Sequence, residues 1–198
     1  MTPWIFKDQK GYPAPTLWFT GLCSSGKTSL AQSVYEGLHA RGLQTVLLDA
    51  DVIRRRLWKE LGFSKADRDE NIRRLGFLAG MLTREGIITL VAAISPYRDV
   101  REEVRRELGN FVEIYVNAPV EICERRDVKG LYRKARAGEL KAFTGLDDPY
   151  EAPVAPEIEC RTHLETLPES VDKVLRFVDE LRARPPFCDA RTGPRVLL

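Results

Sequence analysis

The 198-residue chain has little of what marks several large functional classes. Its four cysteines, Cys23, Cys123, Cys160 and Cys188, stand far apart and form no C-x-x-C pair, which argues against zinc. With no other mark of a secreted chain, they read as reduced thiols. The N-terminus has no apolar h-region and no window approaches the length of a bilayer span, so no membrane role and a cytoplasmic location are expected. Neither sign of charge dominates, since 31 Lys and Arg against 29 Asp and Glu leave a formal +2. Basic residues are interleaved with acids, as in Arg101-Glu-Glu-Val-Arg-Arg-Glu107, which reads as a solvated helix face, and a nucleic-acid partner is not expected. Internal repeats and interdomain linkers are also missing. A single α/β domain over residues 1–198 accounts for the length and is large enough to bury a full core.

What is present starts with Gly21, Leu22, Cys23, Ser24, Ser25, Gly26, Lys27 and Thr28, which match G-x-x-x-x-G-K-[ST]. A chance match in a chain of this length is about one in a hundred or rarer. The octapeptide follows an apolar run at 16–20 and precedes a helical stretch at 27–41. That strand–loop–helix context turns backbone N–H groups and a helix N-terminus toward phosphates. Lys27 can then reach the β- and γ-phosphates, and Thr28 can offer a hydroxyl to Mg²⁺ carried with ATP.

Further strands are expected at 44–48, 87–94, 111–116 and 157–160. Helical patterns at 52–60, 69–85, 97–107, a short one opened by Pro119, and a last one begun by Thr166-x-x-Glu169 alternate with them. This order predicts a P-loop-type, doubly wound, mostly parallel five-stranded sheet with helices on both faces. Residues 127–156 are basic, then rich in Gly, Pro and Asp, with few apolar anchors, and read as a mobile lid. The tail at about 185–198 reads as loosely held.

Ligands of parallel sheets lie beyond the strands' carboxyl ends, where Asp49, Asp51 and Ser95 arrive with the phosphate loop. The carboxylates can hold Mg²⁺ or orient an attacking hydroxyl, or they can simply cap the next helix. Arg54, Arg68 and Asn71 supply anion-binding groups on the acceptor side, or sit on a solvated helix face. Ser95, just before Pro96, also fits a plain turn.

Beyond the loop, the sequence resembles the adenylylsulfate kinase (APS kinase) family. The matching strings are Gly21 to Thr28, Leu48-Asp-Ala-Asp51 with Arg54, Gly62-Phe-Ser64 with Asp67-Arg68, and Glu70-Asn-Ile-Arg-Arg74. They continue with Ile94-Ser-Pro-Tyr97, Val116-Asn-Ala-Pro119, Cys123-Glu-Arg-Arg-Asp127 and Lys129-Gly-Leu-Tyr-Arg-Lys-Ala-Arg-Ala-Gly138. The last are Phe143-Thr-Gly-Leu-Asp-Asp-Pro-Tyr-Glu-Ala-Pro153 and Pro156-Glu157. The resemblance implies transfer of the γ-phosphoryl group of ATP to the 3′-hydroxyl of adenosine 5′-phosphosulfate, in sulfate activation.

Carried over position by position, it implies ATP on residues 21–28, Mg²⁺ on Thr28 and Asp49, and Asp51 taking the acceptor's proton. Lys27 and Ser95 complete the catalytic set; the family's Ser has been proposed as a phosphoserine, though in-line transfer needs no covalent step. Arg54, Arg68 and Asn71 would grip the phosphosulfate and ribose. Phe63 and Phe143 would sandwich the adenine, Ile94 and Ser95 would line that site, and Lys129 would act from the lid. A homodimer and a functional link to ATP sulfurylase are implied as well. The family's usual Asp-Gly-Asp is Asp49-Ala50-Asp51 here, so Ala50 would be strained if that position needs positive φ. The segment after Glu157 fits the family loosely. Alternatives are another small-molecule P-loop kinase, or a non-catalytic nucleotide-binding domain; the presence of Lys27, Thr28 and Asp51 speaks against the second.

Overall fold

The structure, a computed structural model, describes residues 14–183; Cys188 and the expected loose tail lie outside them. Strand β1 (Thr16–Thr20) runs into the phosphate loop and helix α1 (Lys27–Ala40). The amides of Gly42 and Leu43 bond the carbonyls of His39 and Leu38, so α1 stops in a two-bond turn that satisfies its last carbonyls. Strand β2 (Thr45–Asp49) delivers Asp49 to the start of α2 (Ala50–Leu57). Helix α3 (Lys65–Arg84) leads to β3 (Ile88–Ala92), α4 (Arg98–Leu108) and β4 (Phe111–Asn117). The short helices α5 (Val120–Arg126) and α6 (Leu131–Arg136) precede β5 (Ile158–Arg161) and α7 (Leu167–Ala183).

The five strands are all parallel in the order β2-β3-β1-β4-β5. Alternation along β1 sends Leu17 and Phe19 to one face of the sheet and Trp18 to the other. Leu30, Val34 and Leu38 of α1 with Val174 and Val178 of α7 cover the first face. Ile72 and Leu75 of α3 with Val100 and Val104 of α4 cover the second. Burial on both faces explains why β1 and β3 are mostly apolar, with every one of their residues buried. Each fully buried Leu, Val or Ile here contributes roughly 1.5–3 kcal/mol.

Three expectations change. Helix α3 starts at Lys65 rather than 69, because the Ser64 hydroxyl accepts from the Asp67 amide and caps it. The expected solvated face at 101–107 is wrong for Arg101, which is 1% exposed and pairs with Glu113 of β4. Residues 127–156 are better anchored than their composition suggests. Tyr132 of α6 is fully buried, and the Tyr150 hydroxyl meets Thr20 Oγ1 at 2.9 Å. Ala50 is the first residue of α2 and is not among the residues with positive φ, so it fits without strain. Cys23, Cys123 and Cys160 are free and buried, as reduced thiols would be. Among the described residues no helix is long and apolar enough to cross a membrane.

Candidate active site

Because the strands are parallel, their carboxyl ends bring the phosphate loop, Asp49, Ser95 and the segment after β4 to one edge. The loop shape depends on glycine. A Cβ on Gly21 would lie 2.4 Å from the Val116 carbonyl oxygen, an immovable backbone atom of β4. Gly26, at φ 103, is the N-cap of α1 and turns the chain into the helix. Together with Ser24 at φ 58, these conformations curl the loop into a concavity suited to an anion. Lys27 is nearly buried, and its Nζ donates to the Leu22 carbonyl at 2.7 Å, so it folds over the loop. Burial lowers its pKa to about 8.

The residues expected to hold metal do meet. Thr28 Oγ1 donates to Asp49 Oδ2 at 3.1 Å, while Asp49 Oδ1 accepts from the amides of Asp51 and Val52. One Asp49 oxygen therefore caps α2 and leaves the other facing Thr28. No cluster of three or more His, Cys, Asp or Glu suited to a metal occurs among the described residues. A Thr hydroxyl with one carboxylate still fits Mg²⁺ held largely by phosphates and water.

Asp51, in the first turn of α2, is ion-paired with Lys129 from the segment after α5. That bond holds the Lys129 ammonium above its usual pKa. One turn on, Arg54 lies over the Phe63 ring at 4.6 Å from its centroid and bonds the carbonyls of Leu61 and Gly62. Burial, then the neighbouring Arg68 charge, pulls Arg54 below the usual guanidinium range. Starting α3 at Lys65 puts Arg68 and Asn71 one turn apart on the same face. Arg68 flanks Phe63 at 5.8 Å and donates to Thr144 Oγ1 at 2.6 Å and the Ala142 carbonyl at 2.5 Å. Asn71 is 6% exposed, and its buried Oδ1 has no hydrogen-bond partner. An orphaned acceptor of this kind is what a ligand donor would satisfy.

The two phenylalanines sit differently. Phe63 is 67% exposed with guanidinium groups for company. Phe143 is half-buried in an apolar cluster with Leu22, Cys23, Ile94 and Tyr132, edge-on to the Tyr132 ring at 4.9 Å. No contact between the two rings is present among the described aromatic pairs, so a purine would have to enter between separate faces. Ile94 packs in the same apolar cluster as Phe143. The Ser95 hydroxyl is engaged within the protein. Its Oγ is buried, accepts from Trp18 Nε1 at 3.1 Å and donates to Thr20 Oγ1 at 3.0 Å. That hydroxyl braces the strand ends.

Sequence reasoning missed four residues. Arg126 and Thr162 both donate to the Ser25 carbonyl, at 3.3 and 2.7 Å, and so support the phosphate loop from the end of α5 and from just beyond β5. Tyr132 donates to the Cys23 carbonyl at 3.1 Å, and burial pushes its pKa up, so it stays protonated there. Tyr150 reaches Thr20. Arg126, Tyr132 and Tyr150 lie inside strings that carry the family resemblance but drew no role from it, and Thr162 lies in the loosely fitting segment after Glu157.

A family model described as adenylylsulphate kinase matches residues 13–161. Adenylyl-sulfate kinase of a Picosynechococcus strain is 61% identical over 166 residues, 84% of this chain and 94% of that protein. Adenylyl-sulfate kinase of Halothermothrix orenii is 52% identical over 174 residues, 88% and 92% of the two chains. An APS kinase of Mycobacterium tuberculosis, solved in complex with AMPPNP and APS, aligns with a TM-score of 0.81 at 42% identity, over 84% of this chain and 98% of that one. Shikimate kinase of Acinetobacter baumannii, at 16% identity and a TM-score of 0.58 over 86% and 96% of the two chains, shares the fold.

Proposed function

Because the chain belongs to the adenylylsulfate kinase family, we propose that it phosphorylates the 3′-hydroxyl of adenosine 5′-phosphosulfate with ATP. The products are 3′-phosphoadenosine 5′-phosphosulfate and ADP. One observation carries the reading from the structure's side. Asp51 and Lys129 lie at the same sheet edge as the phosphate loop, with Phe63 set between Arg54 and Arg68. An acceptor that is both a purine and a polyanion needs that combination; a sugar acid needs no aromatic face.

In this reading residues 21–28 hold the ATP phosphates, and Lys27 leaves the Leu22 carbonyl to meet them. Thr28 and Asp49 would hold Mg²⁺, which would offset charge on the phosphates. Arg54, Arg68 and Asn71 hold the acceptor, with Asn71 Oδ1 gaining the partner it lacks. Phe63 and Phe143 contact its adenine, and Ile94 lines the pocket. Asp51 accepts the 3′-hydroxyl proton as that oxygen bonds the γ-phosphorus and the bond to the ADP oxygen breaks. Lys129, released from Asp51, remains beside the transferring charge. Residues 127–141 close over the site against the anchored strap that follows them, which excludes water and limits wasteful hydrolysis of ATP. A cytoplasmic homodimer working beside ATP sulfurylase is the setting the resemblance implies.

The test is a coupled assay for ADP release, with the nucleotide product identified by chromatography. ADP release that depends on adenosine 5′-phosphosulfate supports the reading. Phosphorylation of a nucleoside monophosphate or a sugar acid instead would replace it with another P-loop kinase activity.

A further inference from the structure

Arg101 of α4 is among the largest fully buried side chains, yet it carries a charge. Each of its guanidinium nitrogens bonds a different part of the molecule. Nε donates to Glu113 Oε1 of β4 at 2.9 Å, Nη1 to the Ser95 carbonyl at 2.5 Å, and Nη2 to the Glu151 carbonyl at 2.6 Å. Its carbon Cζ also lies 5.9 Å from the Tyr150 ring centroid. Glu113 is shared with Arg105, which pairs in turn with Glu157, so two positive and two negative groups balance.

A buried network like this is weak evidence for stability, since apolar residues of similar volume serve as well or better. A planar three-way fork does fix geometry. The two carbonyls it holds are telling. Ser95 has φ 44, a conformation non-glycine residues seldom adopt, and follows Ile94 in the wall of the proposed acceptor pocket. Glu151 ends a strap, residues 142–151, that begins beside Phe143. Along it, Arg68 bonds Ala142 and Thr144, the Tyr97 hydroxyl bonds Asp148, and the Glu151 amide bonds the Pro96 carbonyl.

We propose that Arg101 is a positioning residue for the acceptor nucleotide: it sets the Ile94–Ser95 wall and the Phe143 strap at a fixed separation without touching either substrate. This rests on the acceptor site proposed above. The phosphate loop has its own supports in Arg126, Thr162 and Tyr132, so ATP binding is expected to change less than acceptor binding when Arg101 is replaced.

The experiment compares the parent protein with Arg101→Lys, which keeps the charge facing Glu113 and loses the fork. Arg101→Met with Glu113→Gln serves as a second variant with no buried charge left uncompensated on that pair. Steady-state KM is measured for each substrate, and amide exchange is followed across residues 144–152. Loss of two carbonyl contacts should raise the acceptor KM about tenfold with a smaller change in ATP KM, and speed exchange at Glu151. Unchanged acceptor KM, or equal rises in both KM values alongside a lower melting temperature, would overturn the role. If the parent fails to turn over adenosine 5′-phosphosulfate, the functional reading falls instead. Exchange then decides Arg101 by itself, with unaltered strap protection refuting the hold.

Discussion

Asn71→Leu is expected to make the protein more stable and a worse enzyme. Asn71 sits inside α3, 6% exposed, with Oδ1 buried and unpartnered in the free protein. A buried acceptor without a donor costs about 1–3 kcal/mol. Leucine is close in shape, brings no polar atom, and gains a few tenths of a kcal/mol in helix propensity. The net gain is about 1.5–3 kcal/mol. For a chain of this size each kcal/mol moves the midpoint by about 2–4 °C, which gives a rise of roughly 3–12 °C. The same substitution removes the hydrogen bond that Asn71 would make to the acceptor, so acceptor KM should rise about tenfold while ATP KM holds. Differential scanning fluorimetry without ligand and initial rates at varied acceptor read the two effects. A lower melting temperature would show that Oδ1 has a partner in the free protein. Unchanged acceptor KM would remove Asn71 from the site. Stability kept low for the sake of binding is a common trade at active sites.

Lys27→Met should abolish turnover and raise stability at neutral pH, because Met does not have to hold a charge in a buried place. The sign follows from the depressed pKa: the penalty is complete below about 8 and is relieved as pH climbs from there toward the ordinary lysine value of 10.5. ATP binding restores the charge, so calorimetry in two buffers near pH 9 should show proton uptake that vanishes in the variant; uptake that persists would point to another group. Asp49→Asn keeps a good helix cap and so should melt like the parent while shifting the Mg²⁺ dependence of the rate. Asp51→Asn should lower kcat by roughly 10²-fold with ATP affinity nearly unchanged, and exchanged phenotypes would mean the two carboxylates are assigned the wrong way round. Hydrogen exchange over residues 127–141 should slow markedly with ADP plus adenosine 5′-phosphosulfate, whereas residues 144–151 should already be slow without ligand; equal protection at 127–141 in both states would make it a fixed insertion.

Most of the site was legible because phosphate chemistry uses contiguous residues. Residues 21–28 form a motif, and Asp49 and Thr28 meet because a strand end and a helix start are each local features. What escaped notice acts across distance. Arg101 lies in a run of charges that looks solvated along the sequence, and only the packing of α4 over β4 turns it inward toward Glu113. Tyr132 and Tyr150 sit in a polar stretch, and their partners Cys23 and Thr20 are 109 and 130 residues away. Ser64-x-x-Asp67 was readable as a helix start, and the missed cap displaced the expected beginning of α3. Ser95 carries an oxygen that two neighbours already use, which no sequence pattern displays.

The order in which the strands are made differs from the order in which they lie. Strand β1 emerges first from the ribosome but occupies the centre of the sheet, paired with β3 on one side and β4 on the other. Gly21 closes against the Val116 carbonyl, so the phosphate loop has no floor until about 95 further residues have been synthesised. Through that interval Thr16–Thr20, wholly buried in the finished protein, has apolar side chains and unpaired strand edges to hide. Nucleotide therefore cannot guide the early steps of folding, and a nascent chain halted before β4 is both inactive and prone to associate.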